Sequence, residues 1–274
     1  MMRAKQNLHT HTSFCDGRDT PEEMVKQALA LGFSSIGFSG HSYFYGSDYL
    51  PGAITEERTA LCRAEVARLK EAYRDRIAIF CGLEVEMFSE IDLSGYDYLI
   101  GSVHYLKLGD TFPGFDRSAN EVAALIDEYF GGDGMAYARS YYEHLAELPA
   151  HGDFDIIGHI DLIAKHAETH NFFDRESKAY RTYALDAVDA LKGKIPLFEV
   201  NTGAVARGYR TTPYPDPFLL DALREGGFGA VISSDCHDRR YLDCAFSDAE
   251  ALLRAHGFRE RYILTDDGFT AVPF

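Results

Sequence analysis

The sequence has no run of about eighteen apolar residues and no apolar core close to its N-terminus. The first absence argues against a membrane span, and the second argues against a secretory signal peptide. Cysteine is scarce, at five residues, and none of the five forms a CxxC pair. An odd number without paired spacing argues against a disulfide framework. We therefore expect a protein of the reducing cytoplasm that has no membrane partner.

Basic residues are also scarce relative to acidic ones. The chain has 27 Lys and Arg against 43 Asp and Glu, which gives a formal net charge of -16. Proteins bind long nucleic acids mainly through clustered Lys and Arg, so the charge argues against such a partner. A small phosphorylated substrate remains compatible with this balance, because bound metal ions can reverse the local charge.

Three motifs of common enzyme classes are missing as well. The sequence contains no GxSxG elbow, no Walker A motif and no GxGxxG after a predicted strand. These absences disfavour a serine hydrolase, a P-loop enzyme and a dinucleotide-binding enzyme. The chain nevertheless has 46% hydrophobic residues, which is enough for a sizeable core.

Short apolar runs alternate with stretches of helical spacing along the chain. The runs lie at residues 7–9, 35–39, 77–85, 98–103, 155–159, 196–200, 230–234 and 262–265. Helical patterns occupy residues 21–31, with Thr20 as N-cap, and residues 56–73, 121–130, 178–191 and 217–224. This alternation predicts a parallel sheet with helical crossovers, and seven or eight units favour a closed α/β barrel. We expect a single domain over residues 1–274, with an insertion of two helices around residues 105–150.

Histidines and acidic residues follow most of the predicted strands. The C-terminal strand ends of a barrel form one mouth, where functional side chains gather. Nine potential metal ligands from six strand ends should therefore converge on one pocket. They are His9, His11, Asp16, His41, Glu84, His104, His159, Asp235 and His237.

Two pairs with the same spacing favour a metal site. His9 and His11 are two residues apart, so in an extended segment both imidazoles point to one side and can bind one ion. Asp235 and His237 repeat this spacing, and Cys236 between them should point away. For the remaining histidines a hydrogen-bonded structural role is the favoured interpretation; they are His144, His151, His166, His170 and His256.

The order of these motifs resembles the PHP family (polymerase and histidinol phosphatase). The motifs are His9-Thr10-His11, Asp16, Ser39-Gly40-His41, Gly82-Leu83-Glu84, Gly101-Ser102-Val103-His104, Gly158-His159-Ile160-Asp161 and Ser234-Asp235-Cys236-His237. The length and the segment from Glu199 to Arg207 most resemble the monofunctional histidinol-phosphatases. The resemblance implies a distorted (β/α)7 barrel that holds two or three divalent metal ions (Zn, Mn or Fe). It also implies hydrolysis of L-histidinol phosphate to L-histidinol and phosphate in histidine biosynthesis.

The resemblance further implies a division of the ligands among three metals. The first set is His9, His11, Glu84 and Asp235; the second is Glu84, His104 and His159; the third is Asp16, His41 and His237. Some family members carry a histidine at the position of Asp16, and a carboxylate there would favour Mn or Fe over Zn. Glu84 would bridge two metals, whose bound water would attack phosphorus. Asp16 or His237 would relay a proton to the leaving group.

Residues outside the ligand set are candidates for substrate binding. Arg207 is the candidate for the phosphoryl group, because a guanidinium matches it bidentately; a surface salt bridge is the alternative. Lys165 and Arg210 are the reserve candidates. Ser42 directly follows His41 and is a second substrate-binding candidate. The run at residues 43–49 is expected to be either a lid, with Asp48 or Glu86 close to the substrate's ammonium group, or an aromatic packing loop.

Two other functions stay open at the level of the sequence. The chain could be another PHP phosphoesterase that acts on a nucleotide, a short oligonucleotide or a different small phosphate ester. It could also be a non-catalytic PHP module whose metals only stabilise the fold. The full set of ligands argues against this last possibility, and the oligomeric state is not readable from the sequence.

Overall fold

The computed structural model describes residues 5–44, 46 and 55–274, and in it seven strands form one parallel sheet in the order of the sequence. The strands are β1 (Gln6–Asn7), β2 (Ser35–Phe38), β3 (Ala78–Glu86), β4 (Tyr98–Ser102), β5 (Ile156–Ile157), β6 (Leu197–Asn201) and β7 (Gly229–Ser233). Each strand pairs in parallel with the next one. The sheet curls into a nearly closed barrel, which confirms the predicted fold class.

The first and last strands meet beyond their C-terminal ends. The amide of His11 donates to the carbonyl of Cys236 at 2.9 Å, and the amide of Cys236 donates to the carbonyl of His9 at 3.2 Å. Below this bridge the Asn7 side-chain amide donates to the hydroxyl of Ser234 at 2.6 Å. The barrel therefore closes at its mouth. The closure places the ligand motif that follows β1 beside the ligand motif that follows β7.

The eighth apolar run does not join the barrel. It forms β8 (Glu260–Thr265), which folds back through a two-residue turn and pairs antiparallel with β9 (Gly268–Pro273) in a separate sheet. The side chain of Gln6 accepts from the amide of Leu264 and donates to its carbonyl, both at 2.8 Å. The barrel thus has seven strands, and an interpretation with an eighth barrel unit is wrong.

Eight helices occur within the described residues. They are α1 (Pro21–Ala30), α2 (Glu56–Tyr73), α3 (Ala119–Phe130), α4 (Gly134–Glu147), α5 (Lys178–Leu191), α6 (Gly203–Ala206), α7 (Pro217–Gly226) and α8 (Phe246–Ala255). The Thr20 hydroxyl accepts from the amide of Glu23, whose carboxylate accepts from the amide of Thr20, so α1 begins with a capping box as the sequence predicts. Helices α3 and α4 are the two predicted for the insertion. The assignment of the whole chain to one domain stays a prediction.

The barrel interior is filled below the mouth by the ring of Tyr98, which is 1% exposed. Its hydroxyl donates to the carbonyl of Leu8. A Cβ atom at Gly82 would lie 2.2 Å from the ring, and one at Gly37 would lie 2.2 Å from the hydroxyl oxygen of Tyr98. The two glycines therefore make room for the aromatic floor on which the mouth residues rest.

Two expectations based on absences can be compared with the structure. All five cysteines are free thiols, which confirms that no disulfide framework is present. Across residues 5–44, 46 and 55–274, no helix is both long and apolar enough to span a bilayer.

Candidate metal centre

Glu84 lies at the centre of the barrel mouth. It belongs to β3, is 1% exposed, and has ring nitrogens of five histidines within 3.5 Å of its two carboxylate oxygens. The distances are 2.9 Å to His159 Nε2, 3.2 Å to His104 Nε2, 2.8 Å to His41 Nδ1, 3.3 Å to His9 Nε2 and 3.5 Å to His11 Nε2. One buried carboxylate is thus positioned to bridge more than one metal ion.

Asp235 and Asp16 extend this cluster toward the seam between β1 and β7. Asp235 Oδ1 lies 3.2 Å from His11 Nε2 and 3.7 Å from His9 Nε2. Asp16 Oδ2 lies 3.1 Å from His237 Nε2 and 3.5 Å from His41 Nε2. The structure therefore brings all nine predicted ligands together.

Three groups within the cluster have ligand atoms close enough to hold one ion each. Each residue of a group offers one ligand atom, and the ligand atoms of one group all lie within 4.8 Å of one another. The groups are His11 with Asp16, His41 and His237; His9 with His11 and Asp235; and His41 with Glu84 and His104. They differ from the division implied by the family resemblance in three ways: His11 and His41 are shared between groups, Glu84 belongs to one group only, and His159 belongs to none of the three.

Several buried polar atoms of the cluster fit metal ligation. Among the described residues, His9 Nε2, His11 Nε2 and Glu84 Oε2 have no hydrogen-bond partner. A buried polar atom without a partner costs roughly 1–3 kcal/mol, so each such atom calls for an explanation, and a bound ion is one that suits a cluster of imidazoles and carboxylates. Imidazole nitrogens with carboxylate oxygens suit Zn, Fe and Mn. The donor set therefore fits divalent transition-metal ions.

The electrostatics of the cluster agree with this fit. Burial alone would lower the pKa of His9, but the carboxylates of Glu199 and Glu84 outweigh it and raise the pKa to about 10. Burial would likewise raise the pKa of Glu84, yet its histidine neighbours hold that pKa well below its usual range. The carboxylates create a strong negative field, which protons neutralise in the metal-free protein and which metal cations can neutralise in their place.

Sequence reasoning missed Glu199, which hydrogen-bonds the candidate ligands from behind. This β6 residue is 1% exposed, and its Oε2 accepts from His9 Nδ1 at 2.9 Å. From the sequence, Glu199 stands out only as the first residue of a segment that resembles the family. A single acidic residue inside a strand has no spacing to a second ligand that would indicate its role.

Glu86 has a similar position behind His104. Its Oε2 accepts from the His104 amide at 2.8 Å and lies 3.1 Å from His104 Nδ1. The other oxygen, Oε1, is buried without a hydrogen-bond partner among the described residues. The carboxylate thus holds a candidate ligand, and its predicted contact with the substrate's ammonium group stays a prediction.

Arg207 lies at the rim of the cluster, just after α6. Its Nη2 donates to Asp235 Oδ2 at 2.9 Å, its Nη1 donates to the Asp235 carbonyl at 3.0 Å, and its side chain is 33% exposed. The alternative of a salt bridge is therefore realised, but with a candidate metal ligand rather than a remote surface residue. Arg207 Nη1 also lies 3.1 Å from His237 Nδ1, so the guanidinium contacts two candidate ligands.

The two reserve anion candidates differ sharply in environment. Lys165 Nζ lies 2.7 Å from Asp116 Oδ1 and 4.5 Å from the centre of the Tyr209 ring. Arg210 is 4% exposed and is paired with Asp161 and Asp216. Its burial in an ion-pair network removes Arg210 as a candidate for binding substrate.

Ser42 and the aromatic run lie beside the mouth. The Ser42 hydroxyl accepts from the amide of Glu86 at 2.9 Å and lies 2.8 Å from the hydroxyl of Ser89, so its visible contacts support the end of β3. Phe44 is 6% exposed and packs against the rings of Phe88, Tyr105 and Phe112, as a packing loop requires. The rest of the predicted lid, residues 45 and 47–49 with Asp48, lies outside the described residues.

The other histidines have the structural surroundings expected of them. His166 Nε2 bonds to the carbonyl of Arg117 at 2.7 Å, and His144 Nδ1 bonds to the carbonyl of Ser140 at 2.7 Å. His256 pairs with Asp221, His170 contacts Thr169, and His151 packs against Phe88. Cys236 donates to the carbonyl of Asp238 and packs in the core with residues of α1, β2 and α2, which confirms that its thiol points away from the ligands.

Comparison with known proteins gives consistent matches over nearly the whole chain. A family model described as the PHP domain matches residues 7–203. A Deinococcus radiodurans protein named "Probable histidinol-phosphatase" is 30% identical over 92% of this chain and 93% of its own length. The histidinol-phosphatase of Bacillus subtilis is 25% identical over 85% of this chain and 93% of its own length.

A solved structure shares the fold. It is that of histidinol phosphate phosphatase from Lactococcus lactis, complexed with zinc, L-histidinol and phosphate. It superposes with a TM-score of 0.72, covers 97% of this chain and 98% of its own, and is 21% identical in sequence. This likeness supports the barrel architecture and its element order.

Proposed function

Because the chain belongs to the PHP domain family, we propose that it is a metal-dependent phosphomonoesterase that hydrolyses L-histidinol phosphate to L-histidinol and phosphate. Relatives named for this activity match nearly its full length. The observation that carries the proposal is the convergence of the nine candidate ligands on one cluster, in which five histidines surround the buried carboxylate of Glu84. Such a convergence also argues against a purely structural PHP module, which would not need every ligand.

The proposed metal centre holds two or three ions of Zn, Mn or Fe on the nine residues. When bound, these ions lower the pKa of water and neutralise the charge of a phosphoryl group. Glu84 is proposed as the bridging ligand, because both of its oxygens face imidazole nitrogens. Asp235 joins the ligands that follow β1 to those that follow β7.

Arg207 is proposed to bind the phosphoryl oxygens. Its guanidinium is held beside the cluster by Asp235, and its side chain is one-third exposed. A planar guanidinium can form two parallel hydrogen bonds to a phosphoryl group. Lys165, whose ammonium group is fixed by Asp116, is the second candidate cation.

Asp16 and His237 are proposed to move the proton that the leaving alkoxide needs. Their side chains are 28% and 27% exposed, in contrast to the fully buried His9 and His11, so they can exchange protons with solvent. His237 Nδ1 lies 2.9 Å from the carbonyl of Asp235 and 3.1 Å from Arg207 Nη1, whereas its Nε2 lies 3.1 Å from Asp16 Oδ2 and is the nitrogen that faces the other proposed proton carrier.

A substrate panel tests the proposed function. We expect kcat/KM for L-histidinol phosphate to exceed that for nucleoside bisphosphates, short oligonucleotides and other small esters by at least about a hundredfold, because a site that recognises polar substrate groups rejects analogues strongly. Elemental analysis should find two to three divalent transition metals per chain. A higher kcat/KM for a nucleotide, or less than one metal after supplementation, would contradict the proposal.

We also propose a cellular compartment and a kind of substrate for the reaction. Five free thiols fit the reducing cytoplasm. The net charge of -16 fits a small substrate better than a long nucleic acid.

A further inference from the structure

The side chain of Glu199 is surrounded by hydrogen-bond donors. It is fully buried in β6, between the strand ends that carry the candidate ligands. Its Oε2 faces His9 Nδ1 at 2.9 Å and accepts from the hydroxyl of Ser233. Its Oε1 accepts from the His159 amide at 2.7 Å and from Asn201 Nδ2 at 2.8 Å.

These four contacts leave Glu199 no capacity to bind a metal. A carboxylate offers about four lone-pair sites, and here each one faces a donor. The residue also contacts no other candidate ligand through a free oxygen, so it can act on the centre only through His9 and the backbone of His159. Because all four contacts come from donor groups, the ionised carboxylate, which only accepts, fits this position.

We propose that Glu199 is a positioning residue that holds His9 as the Nδ1–H tautomer and thereby sets the affinity of the metal centre. With the proton on Nδ1 shared with Glu199, the lone pair of His9 lies on Nε2. His9 Nε2 is the buried atom without a hydrogen-bond partner, 3.3 Å from Glu84 Oε2 and 3.7 Å from Asp235 Oδ1. The tautomer that Glu199 selects is therefore the one that points a ligand at the centre.

The second oxygen of Glu199 gives it a further role in geometry. Through the amide of His159 it fixes where the chain leaves β5, and His159 Nε2 lies 2.9 Å from Glu84 Oε1. One side chain thus ties together two candidate ligands that are 150 residues apart in sequence but contact the two different oxygens of Glu84. The position of both imidazoles depends on it.

An amide cannot replace this carboxylate. In Glu199→Gln, an NH2 group turned toward His9 forces Nδ1 to accept, which moves the ring proton to Nε2 and removes the ligand. An NH2 group turned the other way faces the His159 amide and the Asn201 amide, which are both donors. Either orientation disturbs the centre while changing the size of the side chain very little.

The inference rests on the proposed metal centre, and zinc affinity tests the two separately. Competition with a chelator should show that Glu199→Gln weakens the tightest bound zinc by about 10- to 100-fold relative to the wild-type protein. Asp216→Asn is the matched control, because Asp216 is another buried carboxylate that accepts from Arg175 and Arg210 and lies outside the cluster. It should lower the melting temperature without weakening zinc binding.

The outcomes separate the possible errors. A wild-type protein that binds none of zinc, manganese and iron overturns the proposed function and this inference with it. A wild-type protein that binds zinc with an unchanged affinity in Glu199→Gln overturns the inference alone. An equal loss of zinc affinity in Asp216→Asn also overturns it, because the effect would then follow general stability.

A spectroscopic measurement on the wild-type protein makes the test independent of how the variants fold. In the zinc-loaded protein labelled with 15N-histidine, His9 should show a protonated Nδ1 in a strong hydrogen bond and a Nε2 bound to zinc. Zinc on Nδ1, with the proton on Nε2, overturns the proposal.

Discussion

At the scale of single residues, the centre is organised by pairs of one histidine and one carboxylate. Glu199 faces Nδ1 of His9, and Glu86 faces Nδ1 of His104. Asp16 in turn lies 3.2 Å from Nδ1 of His11. In each pair the carboxylate leaves Nε2 for the interior of the cluster, which is the arrangement that increases the basicity of a metal-ligating imidazole.

The ligands could be predicted from the sequence, whereas two of their carboxylate partners could not. His9 and His11 show their shared face through their spacing, and each further ligand follows an apolar run. Glu199 meets His9 only because the barrel brings together residues 190 positions apart. No local pattern in the sequence encodes that contact.

Substitution of Arg207 separates substrate binding from metal binding. In Arg207→Ala we expect kcat/KM for histidinol phosphate to fall roughly ten- to hundredfold, because a charge-assisted hydrogen bond contributes about 1.5–3 kcal/mol. Arg207→Lys should recover part of the loss, since an ammonium group keeps the charge but not the planar fork. Inhibition by free phosphate should weaken in parallel.

Two comparisons control this experiment. Metal content should be measured in Arg207→Ala, because Arg207 also pairs with Asp235. Arg139→Ala, which removes an exposed arginine paired with Glu143 on α4, should leave kcat/KM unchanged. Wild-type kcat/KM and unchanged phosphate inhibition in Arg207→Ala would place the anion site elsewhere, with Lys165 as the next residue to test.

At the scale of elements, the sequence predicts the helices that have a start signal, such as a cap residue or a proline in the first turn. The bounds predicted for α2 and α5 agree with the structure at both ends, and each helix begins after a Thr or Ser cap. Helix α8 was missed. It begins after Ala245, which has φ 54° and no side-chain hydrogen bond to the helix. Its start is set by packing, which the local sequence does not reveal.

The close approach of β3 to Tyr98 predicts a strong effect of a small substitution. In Gly82→Ala the new methyl group would lie 2.2 Å from the ring of Tyr98, which is anchored by its hydrogen bond to Leu8. Overpacking of this kind costs about 1–3 kcal/mol, so the melting temperature should fall measurably. Because Gly82 is two residues from Glu84, metal content should fall with it.

A second substitution checks the cause of this effect. Tyr98→Leu in the Gly82→Ala background should cost less stability than the sum of the two single substitutions, because it removes the clash. Additive losses of unfolding free energy would show that the ring of Tyr98 is not what excludes a side chain at position 82.

At the scale of the whole molecule, removal of the metals should make stability depend on pH. The pKa of His9 is about 10 in the metal-free fold, against 6.5 for an ordinary histidine. A raised pKa means that the fold favours the protonated form, so this stabilisation is full below about pH 6.5 and is lost as the pH rises through about 10. We expect the melting temperature of chelator-treated protein to fall across this range.

The metal-loaded protein is the control for this titration. Its imidazoles would carry metal ions instead of protons, so its melting temperature should change much less over the same pH range. Parallel curves for the two forms would mean that the histidine cluster does not account for the pH dependence.

At this scale the alternating units predict a closed barrel of seven or eight strands, and only the family resemblance implies seven; the place of the last strand does not follow from composition. The segment that forms β8 has the composition of a barrel strand, but the Asp266-Asp267 turn returns the chain into a hairpin instead of a helical crossover. Gln6 then covers the edge of that hairpin. Long-range contacts of this kind determine whether β8 pairs with the barrel sheet or with β9, and the composition of the segment does not specify them.

The bridge between Thr10 and Cys236 also has a consequence for the kinetics of folding. Contacts between residues so far apart in sequence form late, because closing a long loop costs conformational entropy before the contacts that stabilise the closed state have formed. The β2 to β6 part of the sheet, with contacts between successive units, can form earlier. In refolding experiments we therefore expect far-ultraviolet circular dichroism to recover before zinc is taken up with native affinity. Simultaneous recovery of both signals would show that the seam closes together with the rest of the sheet.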